Sequence, residues 1–130
     1  MVSLKNPTDF LGDKMCIKLH TGYVDKAIDA DIKFPEAYLH PNEEVSFCEK
    51  LAKGIKKTGQ NQDVNISTFS PVVVHALDVF CRKYYVDIKF FLHEDGKIYE
   101  VEEDDLYIIF QNLGKCYDKI DDVEIELMFR

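Results

Sequence analysis

The apolar positions of this chain change period several times, and each change marks an element. Ile28, Ala30, Ile32 and Phe34 alternate with Asp29, Asp31 and Lys33, a period of two that predicts a strand with one buried face, ended by Pro35. From Asn42 to Lys57 the period lengthens: Val45, Cys48, Leu51, Ala52 and Ile55 recur at helical spacing, with Pro41 near the start and Gly59 beyond the end. Val64, Ile66 and Thr68 then alternate with Asn65, Ser67 and Phe69 as another strand. Ser70-Pro71 supplies an N-cap followed by a proline at the first helical position, and Val73, Ala76, Leu77, Phe80 and Tyr84 mark one face of a second helix.

The flanks extend this strand–helix–strand–helix unit. The opening segment through Asp13 is expected to be loop, followed by a strand at Met15 to Leu19 and a turn at Thr21-Gly22. Asp87 to Leu92 and Lys97 to Val101 read as strands joined by Glu94-Asp95-Gly96, where Asp-Gly is a strong hairpin signal. Leu106, Ile109, Phe110 and Leu113 predict a third helix stopped by Gly114. The last stretch supports two readings: Val123, Ile125, Leu127 and Phe129 alternate like a strand, whereas Tyr117, Ile120, Val123 and Leu127 fit a helix.

Parallel strands covered on both faces are usually continuous apolar runs, yet the central strands here alternate. The expected fold is therefore α/β and two-layered: a small, partly parallel sheet with a C-terminal β-hairpin and helices mainly on one face. At 130 residues the chain fits a single domain with a core of its own, ordered nearly end to end.

Charge and cysteine usage narrow the function classes. The net charge is −8, with acids gathered from Glu100 to Asp105 and from Asp118 to Glu126, a field that repels nucleic-acid backbones. Lys50, Lys53, Lys56 and Lys57 form the one dense basic run and are expected on the solvated face of a helix. Cys16, Cys48, Cys81 and Cys116 are widely separated, sit among apolar neighbours and follow no signal peptide, which predicts reduced thiols and a cytoplasmic protein. No apolar run reaches membrane-spanning length.

Two stretches carry the functional signal, Phe34-Pro35-Glu36-Ala37-Tyr38-Leu39-His40-Pro41 and Ile66-Ser67-Thr68-Phe69-Ser70-Pro71. In this order, with one helix between them, they resemble the C-terminal half of ABC-type ATPase heads of the AAA-family, overcoming-lysogenisation-defect (OLD) class found in bacterial and phage defence systems. There a Walker B strand ends in Asp-Glu-Pro-Glu-Ala-x-Leu-His-Pro and the next strand ends in Ser-Thr-His-Ser-Pro. The resemblance runs from about Ile28 to about Asp118. Pro35, Glu36, Ala37, Leu39, His40 and Pro41 match the first motif, and Ser67, Thr68, Ser70 and Pro71 the second. Capping explains the prolines and serines, but it does not require Glu36, Leu39 or His40.

The departures fall where the chemistry would be. Lys33 stands at the position of the magnesium-associated aspartate, Phe34 at that of the general-base glutamate, and Phe69 at that of the switch histidine. No Walker A loop is present: Gly54 and Gly59 have the glycine spacing, but Gln60 and Asn61 follow them at the end of a helix. No Leu-Ser-x-Gly-Glu signature occurs in the first forty or so residues.

The resemblance thus implies a truncated, non-catalytic head that binds protein, with no nucleotide, cofactor or metal. The implied partner is a P-loop ATPase, as in a phage or mobile-element modulator of a defence complex, or a second copy in a homodimer. Lys33, Phe34, Glu36, Tyr38, His40 and Phe69 are the expected contact residues. His20, His40, His75 and His93 show no metal-ligand spacing, and no Gly-x-Ser-x-Gly elbow or Cys/His signature appears. Glu102 to Asp105 read as the solvated start of a helix. Two other classes stay open: an acidic mimic of nucleic acid, with the carboxylates from Glu100 to Glu126 on one face, and a small hydrolase using His40 with Glu36.

Overall fold

A computed structural model describes residues 16–24, 29–58 and 63–130. The expected loop through Asp13, the strand start at Met15, Ile28, Gly59, Gln60 and Asn61 lie outside the described residues. Among the described residues five strands form one sheet: β1 (Cys16–Gly22), β2 (Ile32–Lys33), β3 (Val64–Ser67), β4 (Asp87–Glu94) and β5 (Lys97–Val101), in the order β2-β3-β1-β4-β5. β1, β2, β3 and β4 pair in parallel, and β5 returns antiparallel on β4. The described residues also form four α-helices: α1 (Pro41–Thr58), α2 (Pro71–Tyr84), α3 (Tyr107–Leu113) and α4 (Cys116–Met128).

The topology explains the two layers. The connection β2-α1-β3 moves one strand along the sheet, and β3-α2-β4 moves on in the same direction, past β1. Right-handed crossovers taken in one direction place both helices on the same face. One core accordingly joins Ile17, Leu19, Ile66, Phe90 and Leu92 from the sheet to Cys48 and Ala52 of α1, Val73, Leu77 and Cys81 of α2, and Ile109 of α3. The register puts Ile17 beside Val64 and Ile88, and Leu19 beside Ile66 and Phe90, so the apolar rows meet across three strands. The alternate residues Lys18, His20, Asn65, Lys89 and Phe91 belong to the other face.

The described parts of the predicted helices and of the hairpin appear where periodicity placed them. Ser70 Oγ accepts from Val73 N at 3.2 Å as the α2 N-cap, with Pro71 at the first turn. Asp95 and Gly96 both have positive φ, 53° and 75°, as a two-residue type I′ turn requires. Lys50 and Lys53 are exposed on α1 as expected, but so is Val45, which the helical pattern had counted with the core.

Two boundaries differ, at β1 and β2. β1 does not turn at Thr21-Gly22 but continues pairing with β4 through Gly22. β2 is only two residues long: it starts at Ile32 and stops at Lys33, where the left-handed Phe34 ends the extended run. Gly114 stops α3 as expected, at φ −85° without a left-handed reversal, and the chain re-enters helix at Cys116. That settles the ambiguous C-terminal stretch as helix α4, and every residue from Lys115 to Arg130 is exposed. Glu103–Asp105 form a short 3-10 turn before α3.

All four cysteines are unpaired, and burial pushes the Cys48 and Cys81 thiols up to about 12. No helix among the described residues is long and apolar enough to cross a membrane.

Gly22 is where backbone geometry leaves least room. Its φ is +89°, and a Cβ there would meet His93 O and Leu92 Cδ1, both at 2.6 Å. Gly22→Ala should lower the unfolding free energy by roughly 2–4 kcal/mol, through left-handed strain plus overpacking. Gly96→Ala, at φ +75° with open space around it, should lose only about 1 kcal/mol. Urea denaturation of the two variants beside the parent measures the difference.

Candidate functional site

The two motif stretches meet because β2 and β3 are parallel neighbours, with Lys33 beside Ser67. Their carboxyl ends therefore emerge side by side, the edge where open α/β sheets place their sites. Phe34 N donates to Ser67 O at 2.7 Å, and Pro35 then begins a 3-10 turn, Pro35–Tyr38. Phe34 sits at φ 46°, ψ 61°, a conformation that costs a non-glycine residue about 1–2 kcal/mol. Its ring stacks on Phe69, with centroids 4.4 Å apart and planes 27° from parallel. The stack places aromatic surface where the resemblance would put a catalytic carboxylate and a histidine.

Below the rings, Glu36 ties the loops together. One carboxylate oxygen accepts from Thr68 Oγ1 at 2.7 Å and the other from Phe69 N at 2.8 Å. Thr68 Oγ1 in turn accepts from Ser70 N at 3.0 Å, and Ser70 Oγ donates to the buried Glu44 carboxylate of α1. A polar thread thus runs Glu36–Thr68–Ser70–Glu44, joining both motifs to the first turns of both long helices.

His40, exposed, caps a helix. Its Nδ1 accepts from Asn42 N at 3.1 Å, while Glu43 Oε1 accepts from His40 N at 2.9 Å. This is a reciprocal cap on α1, with Pro41 as the first helical residue. His40 and Glu36 are engaged with different partners.

No family model, curated protein or solved structure matches the chain.

The six sequence-predicted residues thus share one end of the sheet but divide by environment. Lys33, Tyr38 and Phe69 face solvent, Tyr38 with 95% of its surface exposed; Phe34 and Glu36 are half-buried; His40 is exposed at its cap. Both Glu36 oxygens already hold hydrogen-bond donors. Among the described residues, no group of three or more His, Cys, Asp or Glu is arranged to hold a metal ion.

One pairing was not visible in the sequence. β1 and β4 bring His20 Nδ1 within 2.9 Å of His93 Nε2, although 73 residues separate them. The His20 ring also stacks on Phe91 at 5.0 Å. Burial holds both imidazoles below their ordinary pKa; at His20 the neighbouring His93 and Lys18 lower it further, against a hydrogen bond with Asn65 that raises it. A neutral pair shares one N–H, and a proton added to the accepting nitrogen removes the bond.

Two predictions follow from this geometry. Glu36→Ala leaves the buried Thr68 hydroxyl and Phe69 N without their acceptor and should cost roughly 1–3 kcal/mol in urea denaturation, with Glu36→Gln, which keeps one acceptor, losing less. For the histidine pair the sign is fixed by lowered native pKa values: the unfolded chain binds protons first, so the contribution is complete above the ordinary value near 6.5 and is lost as pH falls below it. The urea midpoint should drop between pH 7.5 and 5.5, and His20→Gln should flatten that drop.

Proposed function

We propose that this chain is a non-catalytic protein-binding module of the cytoplasm, built like a truncated ATPase head, and that it modulates a P-loop ATPase such as one in a defence complex. The observation that carries the reading is the Phe34–Phe69 stack, held at the carboxyl ends of adjacent parallel strands by Glu36. Phe34, at the general-base position of the resemblance, can take no proton, and Glu36 uses an oxygen on each side to brace the loops. Aromatic side chains presented beside a cation are the chemistry of protein contacts: Phe69 and Tyr38 supply exposed ring surface, and Lys33 a charge at the rim. The strain at Phe34 favours the same reading, since a costly backbone conformation here holds a ring in place for contact.

Isothermal titration of the isolated chain with magnesium and ATP should release no binding heat; micromolar, magnesium-dependent binding would overturn the reading. Affinity capture from the native host should recover a P-loop ATPase. Tyr38→Ala and Phe69→Ala, folded by circular dichroism, should each weaken that capture at least about tenfold, the effect of a central aromatic contact.

A further inference from the structure

The far end of α2 carries a carboxylate where its period calls for an apolar residue. Val74, Asp78 and Cys81 recur at helical spacing on the buried side, and Asp78 is only 7% exposed. Arg82, one turn on, donates from Nη2 to Asp78 Oδ2 at 2.8 Å and places its Nε 3.4 Å from Glu103 Oε1 of the 3-10 turn. Asp78 Oδ1 is buried too, yet it has no hydrogen-bond partner. A buried carboxylate oxygen without a donor is costly, so a donor is what this position lacks.

Asp78 helps to line a cleft of about 450 Å³, a size that suits a small ligand. Arg82, Tyr85, Glu103 and the exposed Asp87 at the start of β4 line it as well. α2 ends here because Tyr85 turns left-handed at φ 58° and Val86 N closes on Cys81 O at 2.8 Å. The negative end of the helix dipole thus lies at the cleft and adds to three carboxylates set against one guanidinium. Of the neighbouring cations, Lys83 leans over the Tyr84 ring at 5.4 Å and Lys89 belongs to the other face of the sheet, so neither lines the cleft. Tyr85, 84% exposed, contributes an aromatic ring, a surface that attracts cations.

The charge calls for a cation, and the spread of the acids decides its kind. A metal ion needs oxygens converged on one point, and among the described residues no group of three is so arranged. Acids separated along one cleft suit positive nitrogens separated along one flexible chain. We propose that this cleft binds a linear polyamine, one ammonium donating to Asp78 Oδ1, a second pairing with Asp87, and the chain between them lying on Tyr85. Arg82, its side chain 58% exposed, leans toward Glu103 to admit the first ammonium. The cleft opens at the amino end of β4, whereas Phe34 and Phe69 sit at the carboxyl ends of β2 and β3. It shares no residue with that site, so the two assignments stand or fall separately.

Titration calorimetry of the full chain with spermidine at low ionic strength should give one site with Kd on the order of 10–100 μM. Asp78→Asn should raise Kd about tenfold, and Asp87→Asn, at an exposed position where folding is not at stake, about threefold or more. Asp121→Asn with Asp122→Asn removes two charges from α4 and should leave Kd within about twofold. Backbone amide shifts on adding spermidine should move at Tyr85, Val86, Asp87 and Glu103 and stay still along α4. Nα-acetyl-lysine amide, with a single ammonium, should bind at least about tenfold more weakly than spermidine. Absence of binding heat would overturn the proposal, as would shifts centred on α4 or equal loss in the α4 variant, both marks of attraction to net charge alone. Equal binding of the lysine amide would overturn it too, assigning the cleft to a lysine side chain of a partner protein.

Discussion

Both helical crossovers of this sheet step in one direction, and the other features of the molecule depend on that constraint. Because α1 and α2 must then share a face, Ile17, Leu19, Ile66 and Phe90 have one side on which to be buried, and the strands alternate instead of running apolar throughout. The same ordering puts β2 beside β3, so the loops leaving them emerge as neighbours. It also puts β1 beside β4, which brings His20 and His93 together. Moving β2 away from β3 would part Phe34 from Phe69, and moving β4 away from β1 would part His20 from His93.

How much of this was legible in the sequence follows from how local each determinant is. The Asp95-Gly96 turn and the Ser70-Pro71 helix start were readable because the residues that decide them are adjacent and their backbone preferences are strong. The reach of β2 was not: alternation through Ile32 and Phe34 promises a longer strand, but a left-handed Phe34 ends it, and nothing in a phenylalanine announces that conformation. Val45 keeps the period of α1 yet points outward, since period identifies a face and not the neighbour that covers it. The C-terminal segment satisfied two periods because it has no core to choose between them.

The strand-end site was partly legible. Its members could be named in advance, since Pro35, Pro41, Ser70 and Pro71 punctuate elements that had to follow one another. What each side chain does there could not. Glu36 and His40 looked like surplus residues that capping did not require, yet one braces two loops with both oxygens and the other caps a helix through its ring and backbone. The thread from Glu36 to Glu44 runs between the first turns of α1 and α2, so the aromatic stack is tied to the starts of both long helices. The histidine pair offered no signal at all, because its spacing exists only once strand order is known.

The two margins of the sheet have a consequence for the chain in crowded solution. An unpaired strand edge is a template on which another extended chain can grow, and long, flat, uncharged edges are the dangerous ones. Here one margin is β2, two residues long and closed off by Pro35, and the other is β5, whose exposed Lys97 and Glu100 would have to lose hydration for a foreign strand to settle alongside. The brevity of β2, which first reads as an incomplete strand, thus works with the charges of β5 against edge-to-edge growth of the sheet.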